Sequence, residues 1–182
     1  TGSSADGDDA LLFLLKTDGN GLEQWTRIWG DDNLNARGLK VRQTTDGGYI
    51  IIGSTGFPNS YDAILIKTDG NGIEQWSQTF VGSGDTLIIY SGKVLGQQQT
   101  TDGGYIIAGE TSSFGSRGYS DVLLIKADSL GNKKWQKSFG GKEVDRGYSV
   151  YQTTDGGYIV AGETSSDGEG NNDIWLIKVS PL

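Results

Sequence analysis

Read as a pattern of apolar and polar positions, the chain alternates short apolar clusters with polar, glycine-rich breaks. No window carries the 3.6-residue period of an amphipathic helix. Three kinds of cluster recur. One is an apolar run ending in lysine, at Leu11 to Lys16, Ile64 to Lys67, Val122 to Lys126 and Ile174 to Lys178. Another opens with tyrosine, at Tyr49 to Ser54, Tyr105 to Glu110 and Tyr158 to Glu163. Both are near-continuous in Ile, Val and Leu, which suits strands covered on both faces. The third alternates, as in Trp135-Gln-Lys-Ser-Phe139, and suits a half-exposed outer strand. It carries the aromatic pairs Trp25/Trp29, Trp76/Phe80 and Trp135/Phe139.

The breaks are turns. Gln-Thr-Thr-Asp-Gly-Gly-Tyr-Ile begins at Gln43, Gln99 and Gln152, and Thr-Asp-Gly-Asn-Gly occupies 17–21 and 68–72. Asp-Gly between apolar strands is a strong hairpin signal, because glycine accepts the positive φ that such turns require. The landmarks recur in one order, defining a roughly fifty-residue, four-stranded repeat. The expected fold is all-β, with tandem four-stranded antiparallel blades of β-propeller type. The chain reads as one repeat domain: a half blade at 9–30, blades at 38–81 and 93–140, and an incomplete blade at 147–180.

That makes thirteen strands, against the roughly sixteen of a small four-bladed ring. Three arrangements answer the shortfall. The N-terminal outer strand can complete the last blade, the two ends can pair between chains, or the chain can be a piece of a longer propeller. A leader or preceding segment would account for a chain that opens with Thr1.

The phrase at 99–113, Gln-Thr-Thr-Asp-Gly-Gly-Tyr-Ile-Ile-Ala-Gly-Glu-Thr-Ser-Ser, is followed by Asp-Val-Leu-Leu-Ile-Lys at 121–126 and by Trp135. It resembles tandem β-propeller repeats of secreted and cell-surface proteins of bacteria and archaea, over nearly the whole chain. The resemblance implies a propeller and an extracellular or cell-surface location, and carries no catalytic residues with it. Thr44-Thr45-Asp46-Gly47-Gly48 is also similar to the opening of the Asp-box of sialidase-type propellers. Tyr49-Ile50-Ile51 then replaces that motif's Thr-Trp ending, and the Asp-box is itself structural.

Composition narrows the chemistry. The chain has 182 residues, 30 of them glycine, and a formal net charge of −8. That field repels nucleic acid and anionic membranes. Cysteine, histidine and methionine are absent, which removes disulfides, thiolate nucleophiles and imidazole bases. No run approaches the length of a membrane-spanning helix. No cofactor is implied, although oxygen ligands for calcium occur at Asp6 to Asp9, in the Asp-Gly-Asn-Gly turns and at Asp167 to Asp173.

Strands that run up and down place the near-identical turns on one face and the variable links on the other. The variable face is the expected place for function. Its candidates are Arg37, Arg146, Glu110, Glu163, Tyr61 and Tyr119. The arginines occupy matching positions entering the first strand of a blade. They can attract a carboxylate or sulfate, or form a plain ion pair with Glu110 or Glu163. The tyrosines can stack on a sugar or cover blade edges. Aromatic pairs on the outer strand read as packing. The leading expectation is a non-catalytic surface scaffold for binding or self-assembly, with itself, other surface proteins or glycans as partners. A lectin-like propeller is one alternative. A glycan-active enzyme using Glu110 and Glu163 is a weaker one.

Overall fold

The computed structural model describes residues 11–30, 36–57, 60–80, 96–111, 119–168 and 172–181. Those residues form thirteen strands and no helix. The first sheet has two strands, β1 (Leu12–Thr17) and β2 (Glu23–Trp29). The second has four: β3 (Ala36–Gln43), β4 (Tyr49–Phe57), β5 (Ser60–Thr68) and β6 (Glu74–Phe80). The third also has four: β7 (Gly96–Gln99), β8 (Tyr105–Thr111), β9 (Asp121–Ala127) and β10 (Lys133–Phe139). The fourth has three: β11 (Asp145–Gln152), β12 (Tyr158–Thr164) and β13 (Asp173–Val179). Each sheet is antiparallel, with strands side by side in chain order. Strands β3 and β11 start two residues earlier than the expected 38 and 147. Ala36 and Asp145 still pair, with Thr55 and Thr164, across a bulge that follows Gly38 in one and Gly147 in the other.

Alternation along the third strand of each repeat stacks the sheets. Counting back from its terminal lysine, residues four and two positions earlier face onward to the next sheet. Residues three and one position earlier face back. Thus Leu12 and Leu14 pack with Ala36, Ile51 and Ile66 of the second sheet. Ala63 and Leu65 pack with Leu123 and Ile125 of the third. Val122 and Leu124 pack with Val150, Val160 and Ile177 of the fourth. Strands β8 and β9 are buried at every position, as continuous apolar runs require, whereas β6 and β10 stay partly exposed at the rim. The outer-strand aromatics are packing residues. Trp25, Trp76 and Trp135 meet Tyr49, Tyr105 and Tyr158 of the following sheet edge-on, with centroids 5.9, 5.7 and 5.8 Å apart.

The repeated turn follows from the same stacking. In Thr-Thr-Asp-Gly-Gly the first glycine has positive φ, 83° at Gly47, 79° at Gly103 and 82° at Gly156. The second has no room for a side chain. A Cβ on Gly104 would sit 2.3 Å from the Ala127 carbonyl oxygen and 2.5 Å from Lys126 Nζ, and Gly48 and Gly157 are equally confined. The strand-ending lysine fills that space. Lys126 pairs with Asp102 at 3.0 Å and donates to the Ala127 carbonyl. Lys67 does the same with Asp46 and Thr68, and Lys178 pairs with Asp155. The glutamine that opens the motif joins neighbouring repeats: Gln99 Oε1 accepts from the Thr45 amide, and Gln152 Oε1 from the Thr101 amide.

Two outcomes follow. Gly104→Ala drives a methyl into the clasp, so chemical denaturation is expected to show a loss of about 2 kcal/mol or more. The clasp also couples stability to acid. Hydrogen bonds from Lys67 and Thr44 hold Asp46 down at about 2. At Asp102, burial works upward, but bonds from Thr100, Lys126 and Gly104 outweigh it and leave the carboxyl at about 2. A depressed folded pKa means that this stabilisation is present above about pH 4 and is lost as the pH falls towards about 2. These carboxylates are more than half exposed, so each contributes no more than about 1 kcal/mol. Thermal midpoints of Asp102→Asn should lie below those of the native chain at pH 7 and meet them near pH 2.

Candidate functional site

Register brings three of the expected residues together. Arg146 enters β11 opposite Glu163 of β12, and Glu110 lies near the end of β8 in the preceding sheet. Arg146 Nη1 donates to Glu163 Oε1 at 2.7 Å. Its Nε lies 2.8 Å from Glu110 Oε2, an ion contact without the alignment of a hydrogen bond. The side chains of Glu110, Arg146 and Glu163 are 7, 22 and 23% exposed, so the cluster is partly shielded from solvent.

Burial opposes the guanidinium charge, but the Glu163 bond and the Glu110 charge more than restore it, and the Arg146 pKa is raised. Burial, then the bond to Glu163, pushes neighbouring Tyr148 up to about 12. One cation held by two carboxylates from successive sheets is a structural tie, the plainer of the two readings of Arg146.

Arg37 pairs through its backbone with Ser54, the position equivalent to Arg146 opposite Glu163. The Arg37 and Tyr61 side chains lie outside the described residues, as do Asp6 to Asp9 and most of the variable links on that face. Tyr119 is 70% exposed just ahead of β9. Among the described residues, no three His, Cys, Asp or Glu side chains converge as a metal-binding group.

The opposite face, that of the near-identical turns, holds clefts that sequence reasoning missed. Between the second and third sheets, a cleft of about 510 Å³ is lined by Asp46, Lys67, Gln75, Trp76, Gln99 and Tyr105. One repeat on, a cleft of about 270 Å³ is lined by Asp102, Lys126, Trp135, Gln152 and Tyr158. The two sites are equivalent, and each joins the outer strand of one sheet to the turn of the next. Their chemistry is an indole edge beside amide and carboxylate oxygens. Recurrence of Trp, Gln and Tyr in every copy was the available signal. Their convergence needed the sheet-to-sheet stacking.

No protein-family model matches the chain, and no curated protein is similar to it.

Cutting the tie tests the cluster. Arg146→Met leaves two carboxylates, one well buried, without their shared cation. It is expected to lower stability by about 2–3 kcal/mol in chemical denaturation. Adding Glu110→Gln and Glu163→Gln should restore much of the loss.

Proposed function

We propose that the chain is a non-catalytic, extracellular or cell-surface scaffold of β-propeller type, whose function is binding and self-assembly through sheets of its own repeat. One observation carries this reading. The two ends of the stack expose the two opposite halves of the contact that is buried between every pair of neighbouring sheets.

On the fourth sheet, the onward-facing Ile174 and Leu176 are 91 and 64% exposed, whereas their counterparts Val122 and Leu124 in the third sheet are fully buried. On the first sheet, the backward-facing Phe13 and Leu15 are 65 and 47% exposed, whereas Leu123 and Ile125 are each 2% exposed. Full burial of such a side chain contributes about 1.5–3 kcal/mol, so both faces favour a partner. The faces are unlike each other and complementary, which is the condition for head-to-tail association.

The free strand edges point the same way. Among the described residues, β1 lacks the inner neighbour that β4 gives β5, and β13 lacks the outer neighbour that β6 gives β5. An open apolar groove of about 510 Å³, lined by Leu11, Phe13, Leu39 and Val41 among others, runs beside β1. An unpaired edge next to an apolar groove is suited to receiving a strand.

The non-catalytic part of the reading is supported by the absence of histidine and cysteine and by the ion pairing of Glu110 and Glu163. The extracellular part rests on the resemblance of the repeat to surface-protein propellers.

Light scattering tests the assembly. The 182-residue chain should give a mass that is a multiple of one chain, and Leu176→Lys or Phe13→Lys should each shift it towards a single chain. A single-chain mass that neither substitution alters would overturn the proposal.

A further inference from the structure

At the boundary between the third and fourth sheets, two acidic side chains are buried together. Asp121, the first residue of β9, is 2% exposed, and Asp145, the first residue of β11, is fully buried. They meet across Gly140. A Cβ there would lie 2.5 Å from Asp121 Oδ1 and 2.6 Å from Asp145 Oδ2, so only glycine fits where the two carboxylates converge.

A tight hydrogen-bonded frame fixes the pair. The Asp145 amide donates to the Ser120 carbonyl at 2.7 Å, and the Ser165 amide donates to the Val144 carbonyl at 2.9 Å. Asp145 Oδ2 accepts from the Gly141 amide at 2.9 Å and from Ser166 Oγ at 2.7 Å. Asp145 Oδ1 is buried and has no hydrogen-bond partner among the described residues. Asp121 has a polar interaction of its own, so the uncompensated oxygen is that of Asp145.

A buried carboxylate oxygen without a partner is costly beside a second carboxylate, unless a cation is shared. Packing does not require acids at this place. At the boundary between the first and second sheets, the equivalent positions hold Leu11 and Ala36, with Ala36 opposite Thr55 as Asp145 is opposite Thr164. The second and fourth sheets also hold aspartate at the place of Asp121, Asp62 opposite Thr55 and Asp173 opposite Thr164, so that acid belongs to the repeat and the addition at this boundary is Asp145.

We infer that Asp121 and Asp145 form the protein part of a calcium site that ties the third sheet to the fourth. Calcium accepts carboxylate, hydroxyl and carbonyl oxygens in irregular, flexible geometry and completes its shell with water. Here two carboxylates are present with the Ser166 hydroxyl beside them. A site with so few charged ligands belongs to the weak class of extracellular modules, at about 0.1–1 mM. Magnesium, which demands a near-ideal octahedron, fits this irregular set less well.

Titration calorimetry of the full chain with calcium chloride is the test, backed by amide NMR shifts that locate the ion without any variant. The expected result is one calcium per chain, with the largest shifts at Gly140, Gly141 and Ser166. The thermal midpoint should rise on adding calcium and fall back on adding EDTA. Asp145→Asn should abolish the heat and the midpoint shift. Absence of heat and of any midpoint change up to about 10 mM calcium would overturn the inference. Shifts centred away from Gly140, or binding that survives in Asp145→Asn, would overturn it too.

Discussion

Everything in this fold depends on one contact, the face-to-face packing of one small sheet on the next. Strand three of each repeat presents alternate side chains to the preceding and following sheets, so an internal sheet has no solvent face. Ile50, Leu65, Ile107 and Leu124 are buried through that arrangement. No sheet of two to four strands buries its own apolar residues, and each is therefore stable only as part of a stack.

The polar residues of the repeat serve the same contact. Gln99 and Gln152 reach the turn of the preceding repeat, and each outer-strand tryptophan meets the tyrosine of the following one. The lysine that ends strand three lies where a side chain on the second turn glycine would have to go. Lys16 of the first sheet instead lies about 6 Å from the centroids of the Trp25 and Tyr49 rings. Arg146 adds a tie at the opposite rim, from the fourth sheet to Glu110 in the third.

This packing logic gives the functional proposal its physical content. Among the described residues, a contact made between each pair of neighbouring sheets leaves its two opposite halves exposed on the first and fourth sheets. Assembly through them needs no new surface, only a further use of a contact that the repeat already makes. Asp145 is different in kind, because Ala36 holds the matching place at the boundary between the first and second sheets.

The amino-acid sequence by itself determined the period, the strands and the turns. Each is written locally, in the tyrosine- and lysine-bounded apolar runs and in the Asp-Gly pairs whose glycines take positive φ. It also determined that β8 and β9 would be covered on both faces, since their apolar runs lack polar alternation. What it left open was which residues from different repeats would meet. Arg146 with Glu110, Trp76 with Tyr105 and Asp121 with Asp145 are separated along the chain by whole strands or turns. Their meeting is set by how one sheet settles on the next, and only the tertiary structure decided it. The sequence placed Ile174, Leu176, Phe13 and Leu15 in runs expected to be covered on both faces, and in β1 and β13 one face is exposed instead. Their exposure is a property of position in the stack, because the same residue types at equivalent places are buried wherever a neighbouring sheet lies against them.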